Sequence, residues 1–599
     1  MRERLKQDQM WGMTEAPATP SAPESHRLDD SDPPWPQRPW IMAIIGAVAG
    51  LIFHQFVDTR YSDHFDRWNS AMAAFVAVST VVFLLGVELR RWHWAAGFAL
   101  LWGAVIGLIA FTSSTYNIGG SPFEWPFWSG MLAVLVATPL FQTRRDVAPD
   151  ARFWKLWQMP YERLHSHAWT DAVIGAAGLA FTGLTFLLVI LIGQMFKLVG
   201  IDVIERLLQG EWFGWMLAGA AFGGAVGLLR ERDKLVSTLQ RLVMIVLAVL
   251  APVLAVALVL FLLSLMGTGL QKLWDSGFST AALMMASAAF AVLLANAVIG
   301  NGRDDRSANR LMHGAAGVLV VAVLLLAIIA FYSMHLRVIQ YGWTPERLWG
   351  AIAAMVALAY GAIGLWAAVK GRWGFDDVLR PLQQKLAIGL MLLALFLALP
   401  IMDFGAISTR DQLGRLKNGT TKAERFDWAA MAFDFGPDGR KALAQIAKSP
   451  DKAKAGFAKW ALAAKNRWDL TVGGDKVDAA DAAFAAKTIE EKVRVLPDGG
   501  TLEPALYASL RDKSWCWTNE CIAYRVAADR VAIIQPDGRD VTMLVKDAKT
   551  GSWESDYPWN RQEQFKLTDG EMRKARIEMR EVSRKQLFVN GKPMGQVFE

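Results

Sequence analysis

Between residues 40 and 402 the chain alternates long stretches in which apolar residues follow one another with short segments that gather the charges. A helix needs about 20 apolar residues to cross the hydrocarbon core of a bilayer. Eleven stretches meet that requirement, at 40–56, 69–87, 92–112, 125–142, 172–196, 212–229, 242–266, 278–299, 312–335, 347–369 and 384–402. Leu242–Met266 and Gly317–Phe331 contain no charge at all, and the 30 Lys and Arg that precede residue 403 all fall in a tail, a loop or a helix edge. No Asp, Glu, Lys or Arg sits in the middle of a span, and Gln194 and Asn296 lie near span ends. A charge at the bilayer centre is costly, so this exclusion marks the boundaries. The pattern predicts a mainly α polytopic membrane bundle of about eleven transmembrane helices.

The pattern changes at residue 403. Residues 403–599 carry 33 Lys+Arg and 29 Asp+Glu, and no further apolar run is long enough to span. Residues 403–490 read as helical: Ser408-Thr409-Arg410-Asp411 suits a helix start and Thr421-Lys422-Ala423-Glu424 a capping box, with Ala-rich stretches at 440–448, 452–466 and 478–490. From 491 the runs shorten and become β-rich at Cys521–Val526, Arg530–Gln535 and Asp540–Lys546, with Pro536-Asp537-Gly538 as a turn and Asn590-Gly591 as a hairpin signal. A small antiparallel β-rich domain over 491–599 is expected, completing an α+β unit; Trp515, Trp517 and Trp553 are read as core or disulfide packing, with peptide or glycan binding by the sheet as the alternative. Residues 1–39 hold seven of the 23 prolines with many Ser, Asp and Glu, the composition of a disordered tail.

The net charge of +7 becomes informative once it is distributed. With a cytoplasmic N-terminus, 23 of the 30 basic residues before 403 lie in cytoplasmic segments and 7 on the opposite face, as the positive-inside rule requires. An odd number of spans then places 403–599 outside the cytoplasm. The two cysteines, Cys516 and Cys521, both lie there with four residues between them, where an oxidising compartment permits a disulfide; free thiols are the alternative. No His follows His335, so a His/Cys zinc site is not expected. The basic loops account for the positive charge without nucleic acid as a partner.

Three outer loops are related. Gly200–Gly210 matches Gly267–Gly277 in length and glycine placement at an offset of 67, and a third loop reaches Gly342-Trp343-Thr344. Ile201, Ile204, Leu207 and Leu208 have the spacing of a short interfacial helix. The unit is a helical hairpin with an interfacial outer segment, repeated over about 172–370. Gly219, Gly223 and Gly227 recur every four residues, a stripe that allows close helix packing. Pro252 interrupts an apolar helix and is expected to kink it.

Candidate chemistry is sparse. In Met334–Leu348, Gly342, Thr344 and Pro345 are explained as a turn, a cap and a first helical position. Arg337, Tyr341 and Arg347 are not, and two arginines beside aromatic rings either anchor the interface or hold a lipid phosphate. His165-Ser166-His167 with Asp171 does not align as a metal site: in a helix His167 and Asp171 share a face and His165 points elsewhere. No P-loop, H-E-x-x-H or G-x-S-x-G pattern occurs. No metal and no cofactor is expected.

The pattern Arg337…Tyr341-Gly342-Trp343-Thr344-Pro345-Glu346-Arg347-Leu348, set among these helices, resembles a bacterial family of multispanning inner-membrane proteins known as domain of unknown function 4153. The resemblance covers about residues 40–435, including Phe426-Asp427-Trp428 and Phe433-Asp434-Phe435. It implies an inner-membrane protein and carries over no functional residue. The expectation is a non-catalytic anchor or sensor whose outer domain binds an envelope protein partner or membrane lipids; the alternative is a transporter or lipid-handling enzyme using the repeated outer loops.

Overall fold

A computed structural model of the protein describes residues 34–57, 66–113, 121–147, 159–275, 279–464, 467–470, 489–496, 501–512, 521–534, 541–547, 551–555, 585–589 and 592–598. The chain forms two compact units that divide between Asp403 and Phe404, with the short turn Gly342–Pro345 belonging to the second.

The first unit is entirely helical among its described residues: α1 (Arg38–Val57), α2 (Arg67–Gly86), α3 (Trp92–Ser113), α4 (Ser121–Val147), α5 (Tyr161–Leu198), α6 (Val203–Gln209), α7 (Glu211–Arg230), α8 (Asp233–Thr268), α9 (Gln271–Asp275), α10 (Thr280–Ile299), α11 (Arg310–Tyr341), α12 (Pro345–Gly371) and α13 (Phe375–Ala398). Nine stretches among the described residues are long and apolar enough to cross a membrane, which does not match the expected eleven. Two features account for the difference. α4 carries Glu124, Arg144, Arg145 and two internal prolines and is not among the nine. α12 and α13, joined by the 3-10 turn Arg372–Gly374, count together as a single one of the nine stretches.

Small side chains let these helices approach. One core joins Ala251 of α8 and Ala291 and Leu294 of α10 to Ala316, Leu319 and Leu326 of α11, all fully buried. Another joins Ile106 and Ile109 of α3 to Ala133 of α4 and Ala398 of α13. The closest approach is between α1 and α7, which run antiparallel: Gly46 faces Gly219, Met42 faces Gly223 and Arg38–Pro39 face Gly227. A Cβ at Gly219 would collide with the Gly46 carbonyl and one at Gly223 with the Met42 carbonyl. The glycine stripe is therefore a backbone-to-backbone seam whose partner helix the sequence did not identify.

Two of the three related outer connections contain the short helices α6 and α9, at matching places in α5–α6–α7 and α8–α9–α10. The third, between α11 and α12, is only the turn 342–344. α8 continues as one helix through Pro252.

The second unit has two cores. The first packs α14 (Phe404–Lys417), α15 (Trp428–Phe433), α16 (Gly436–Ile446) and α17 (Lys452–Ala463) around Met431, Leu443, Phe457 and Trp460. Ser408–Asp411 lies inside α14 rather than at its start. The anticipated capping box at Thr421–Glu424 is replaced by a 3-10 turn, and Asp427 caps α15 by accepting from Ala430 N at 2.8 Å. An N-cap carboxylate next to the first apolar residues satisfies the orphan N–H groups directly.

The second core lies on a five-stranded sheet, in the order β1 (Val493–Leu496), β2 (Cys521–Ala527), β3 (Arg530–Ile534), β4 (Val541–Lys546) and β5 (Trp553–Ser555). The sheet is mixed, which corrects the antiparallel expectation: β1 pairs parallel to β2, and α19 (Pro504–Asp512) lies between them in the chain after α18 (Ile489–Lys492) precedes β1. Parallel pairing needs such a crossover, and Leu506, Tyr507 and Leu510 of α19 bury themselves with Ala523, Ile533 and Leu544 of the sheet. The strands β6 (Lys585–Val589) and β7 (Lys592–Phe598) pair antiparallel on either side of Asn590-Gly591. Trp553 is buried, while Trp515 and Trp517 lie outside the described residues.

Candidate functional site

One end of the helical unit collects the buried charges. α2 ends at Gly86, leaving its last carbonyls without intrahelical donors. Side chains from elsewhere supply them: Gln142 donates to Leu85 O at 3.1 Å, Arg145 to Gly86 O at 2.6 Å and Arg38 to Val87 O at 2.6 Å. Arg145 also pairs with Glu88, and the two side chains are only 3% and 2% exposed. Arg91 closes the cluster, bonding Glu88 at 2.9 Å and the Arg145 carbonyl at 2.9 Å. Cations at the C-terminal end of helices complement the helix dipole as well as the carbonyls.

α5 extends the cluster. His167 and Asp171, one turn apart, both turn toward α4: His167 Nε2 lies 2.9 Å from Asp146 Oδ2, and Asp171 Oδ1 accepts from Gln142 at 3.1 Å. Burial would raise the Asp146 carboxyl, but the His167 hydrogen bond and the Arg145 charge outweigh it and hold it below the ordinary carboxylate range. His165 points away to Asn301, as helical spacing requires, and accepts from Trp169 Nε1. No group of three potential metal ligands occurs among the described residues.

Above this cluster a cavity of about 780 Å³ opens between α1, α2, α4, α5 and α7. This volume lies within the range of small-ligand sites, about 300–1,000 Å³. Its walls include Gly50, Phe53, Leu84, Gly175, Trp215 and Phe222, and rim residues Val81, Leu135 and Leu179 are exposed. Thr80, Thr138 and Thr182 also line it, but each hydroxyl bonds the carbonyl four residues back in its own helix. They therefore present mainly methyl groups. Asp171 differs: its Oδ2 is shielded from solvent and has no hydrogen-bond partner. The cavity is an apolar chamber with the Asp171 carboxyl in the wall of its charged end.

The residues singled out in sequence fall elsewhere. Arg347 lies over the Tyr341 ring at 5.4 Å and donates to the Tyr341 carbonyl at 3.2 Å, so it caps the end of α11. Arg337 is exposed one turn earlier. Gly219 is shared between the α1 seam and the cavity wall, whereas Gly223 and Gly227 serve the seam. Cys521 opens β2, is buried and is disulfide-bonded; Cys516 lies outside the described residues. Asp171 stood in plain view beside His167, but it was weighed only as a ligand of a metal site. Only the assembly of five helices shows that it faces a chamber.

Comparison with curated proteins and with solved structures yields no match for the chain. Its residues 42–446, which take in the helical unit and the first helices after it, match a described family, and the chain belongs to that family, Domain of unknown function 4153.

Proposed function

We propose that the protein is a bacterial inner-membrane protein with a non-catalytic role: the helical unit anchors it and holds a membrane lipid, and the 404–599 unit engages an envelope partner. One observation carries this reading. The chamber between α1, α2, α4, α5 and α7 is apolar, opens between exposed apolar residues and offers the single unpartnered oxygen of Asp171. An acyl chain fits its walls, and a hydrogen-bond-donating headgroup answers the carboxylate. The neighbouring charges pair with one another, so they tie helices together rather than act on a substrate.

With α4 crossing as well and α12 and α13 crossing separately, loop charge supports the orientation: with the N-terminus cytoplasmic, the basic loops and the buried cluster fall on the cytoplasmic side and 404–599 on the periplasmic side. Arg347 and Tyr341 serve as an outer interfacial anchor in this reading, and a disulfide at Cys521 suits an oxidising compartment. The repeated helix–short helix–helix units favour a transporter as the second reading, since binding sites lie at repeat interfaces in many carriers.

Native mass spectrometry of the full chain, extracted from its own membrane, tests the proposal. Gly175 lines the chamber, and a Cβ there would meet nothing within 4 Å. Gly175→Leu is expected to abolish lipid retained in the chamber with little change in thermal stability; equal retention in both proteins refutes the reading. A periplasm-dependent reporter is expected to be active after residue 410 and inactive after residue 375, and the reverse result overturns the orientation.

A further inference from the structure

A second groove, of about 550 Å³, lies on the helical unit where α8 and α11 meet the turn between α12 and α13. Its long walls are apolar, formed by Val259, Val321 and Leu325 with Gly314 and Gly317 as the floor. One end is polar and holds Arg372 and His313. Among the described residues Arg372 is the one non-glycine residue with positive φ, at 50°. Backbone held there is strained, and such strain clusters at functional sites. The turn places Arg372 at the groove, exposed, with no acidic partner among the described residues. The neighbouring Arg303 and Arg306, in contrast, are neutralised by Asp377 and Asp376.

The second group is His313, which is 7% exposed and stacked against Trp373 at 5.8 Å. Its Nε2 lies 2.8 Å from the Trp373 carbonyl. A carbonyl only accepts, so Nε2 carries the proton, and in the neutral ring Nδ1 is an acceptor. Nδ1 is buried and has no partner. The groove thus presents an unneutralised guanidinium, a buried acceptor waiting for a donor, and an apolar channel leading away from both.

We propose that this groove binds an anionic phosphodiester lipid with a polyol headgroup, of the phosphatidylglycerol type: the phosphate on the Arg372 fork, a headgroup hydroxyl donating to His313 Nδ1, and an acyl chain along Gly314, Gly317 and Leu325. The guanidinium fork matches two phosphate oxygens. An ammonium headgroup also donates, but beside Arg372 it meets like-charge repulsion, whereas a hydroxyl does not. This site is separate from the Asp171 chamber and does not depend on it.

The test uses the full chain in detergent, titrated with phosphatidylglycerol, phosphatidic acid and phosphatidylethanolamine of identical acyl chains and read by native mass spectrometry. Wild type is expected to bind phosphatidylglycerol most tightly. Arg372→Gly removes the guanidinium and suits the positive φ, so phosphatidylglycerol affinity is expected to fall about tenfold or more while Tm holds or rises. A purely structural arginine would not separate the two. His313→Gln keeps a donor at the Nε2 position for the Trp373 carbonyl and removes the acceptor from the Nδ1 position; it is expected to reduce phosphatidylglycerol to the level of phosphatidic acid. Equal binding of phosphatidylglycerol and phosphatidylethanolamine by wild type, or unchanged binding by Arg372→Gly, overturns the proposal. So does displacement of the lipid by glycerol phosphate alone, which would assign the site to a soluble phosphate.

Discussion

Two glycines on the same helix are expected to respond to alanine with opposite signs. In α7, a Cβ at Gly214 would meet nothing within 4 Å, whereas one at Gly219 would lie 2.6 Å from the Gly46 carbonyl carbon and closer still to its oxygen. Ordinary contact between non-bonded carbons is about 3.5–4.0 Å, so α1 and α7 must separate by about 1 Å at Gly219. The obstacle is backbone on another helix, so no rotamer change relieves it. Overpacking costs about 1–3 kcal/mol, and the rigid obstacle puts this case near 3. Alanine recovers about 1 kcal/mol through helix propensity at either position. Gly219→Ala is therefore expected to lose about 2 kcal/mol net and Gly214→Ala to gain up to about 1. Thermal unfolding of the detergent-purified full chain, followed by tryptophan fluorescence, reads the difference as a Tm lowered in one variant and equal or raised in the other. If Gly219→Ala matches wild type, or if both variants fall together, the seam is not what holds α1 to α7.

Arg145→Met leaves Glu88 buried with less compensation and frees the Gly86 carbonyl, so it is expected to cost about 3–5 kcal/mol; adding Glu88→Leu should recover much of that loss in a chemical-denaturation series. Asp411 accepts from Trp343 N at 2.8 Å and from Arg415 at 3.2 Å, so Asp411→Ala should cost about 1–3 kcal/mol and raise amide exchange across 342–344. The Lys454 backbone N–H and then its side chain hold the Asp451 carboxyl below its ordinary value. A carboxyl depressed on folding stabilises above its unfolded pKa and loses that contribution as pH falls through the folded value. Protection of α17 in hydrogen exchange should therefore weaken below about pH 4, and Asp451→Asn, which retains a capping oxygen, should flatten that dependence.

Much of the helical unit was legible because its signal is composition over a long window: a run such as Leu242–Met266 has no alternative in water. Counting spans was harder, because α4 mixes apolar residues with Pro126, Pro139 and a charged last turn, and because α12 and α13 are separated only by Arg372–Gly374. The glycine stripe was visible in α7, but its partner was not, since Gly46 and Gly50 in α1 look like ordinary small residues until the two backbones meet. The parallel β1–β2 pair was missed because pairing direction depends on the path of α19 rather than on strand composition. Chemistry was least legible. Gln142, Asp171, His313 and Arg372 sit on separate helices and turns, and no local spacing rule joins them.

The seam between α1 and α7 also fixes an order of events. Gly46 and Gly219 are about 170 residues apart in the chain, and synthesis proceeds at about 5–20 residues per second. α1 therefore enters the bilayer roughly 10–30 s before α7 exists to cover its glycine face. During that interval the first helix depends on its own apolarity and on the Arg38 end for its place in the membrane. Its final position is set late, when a hairpin made far downstream returns to meet it.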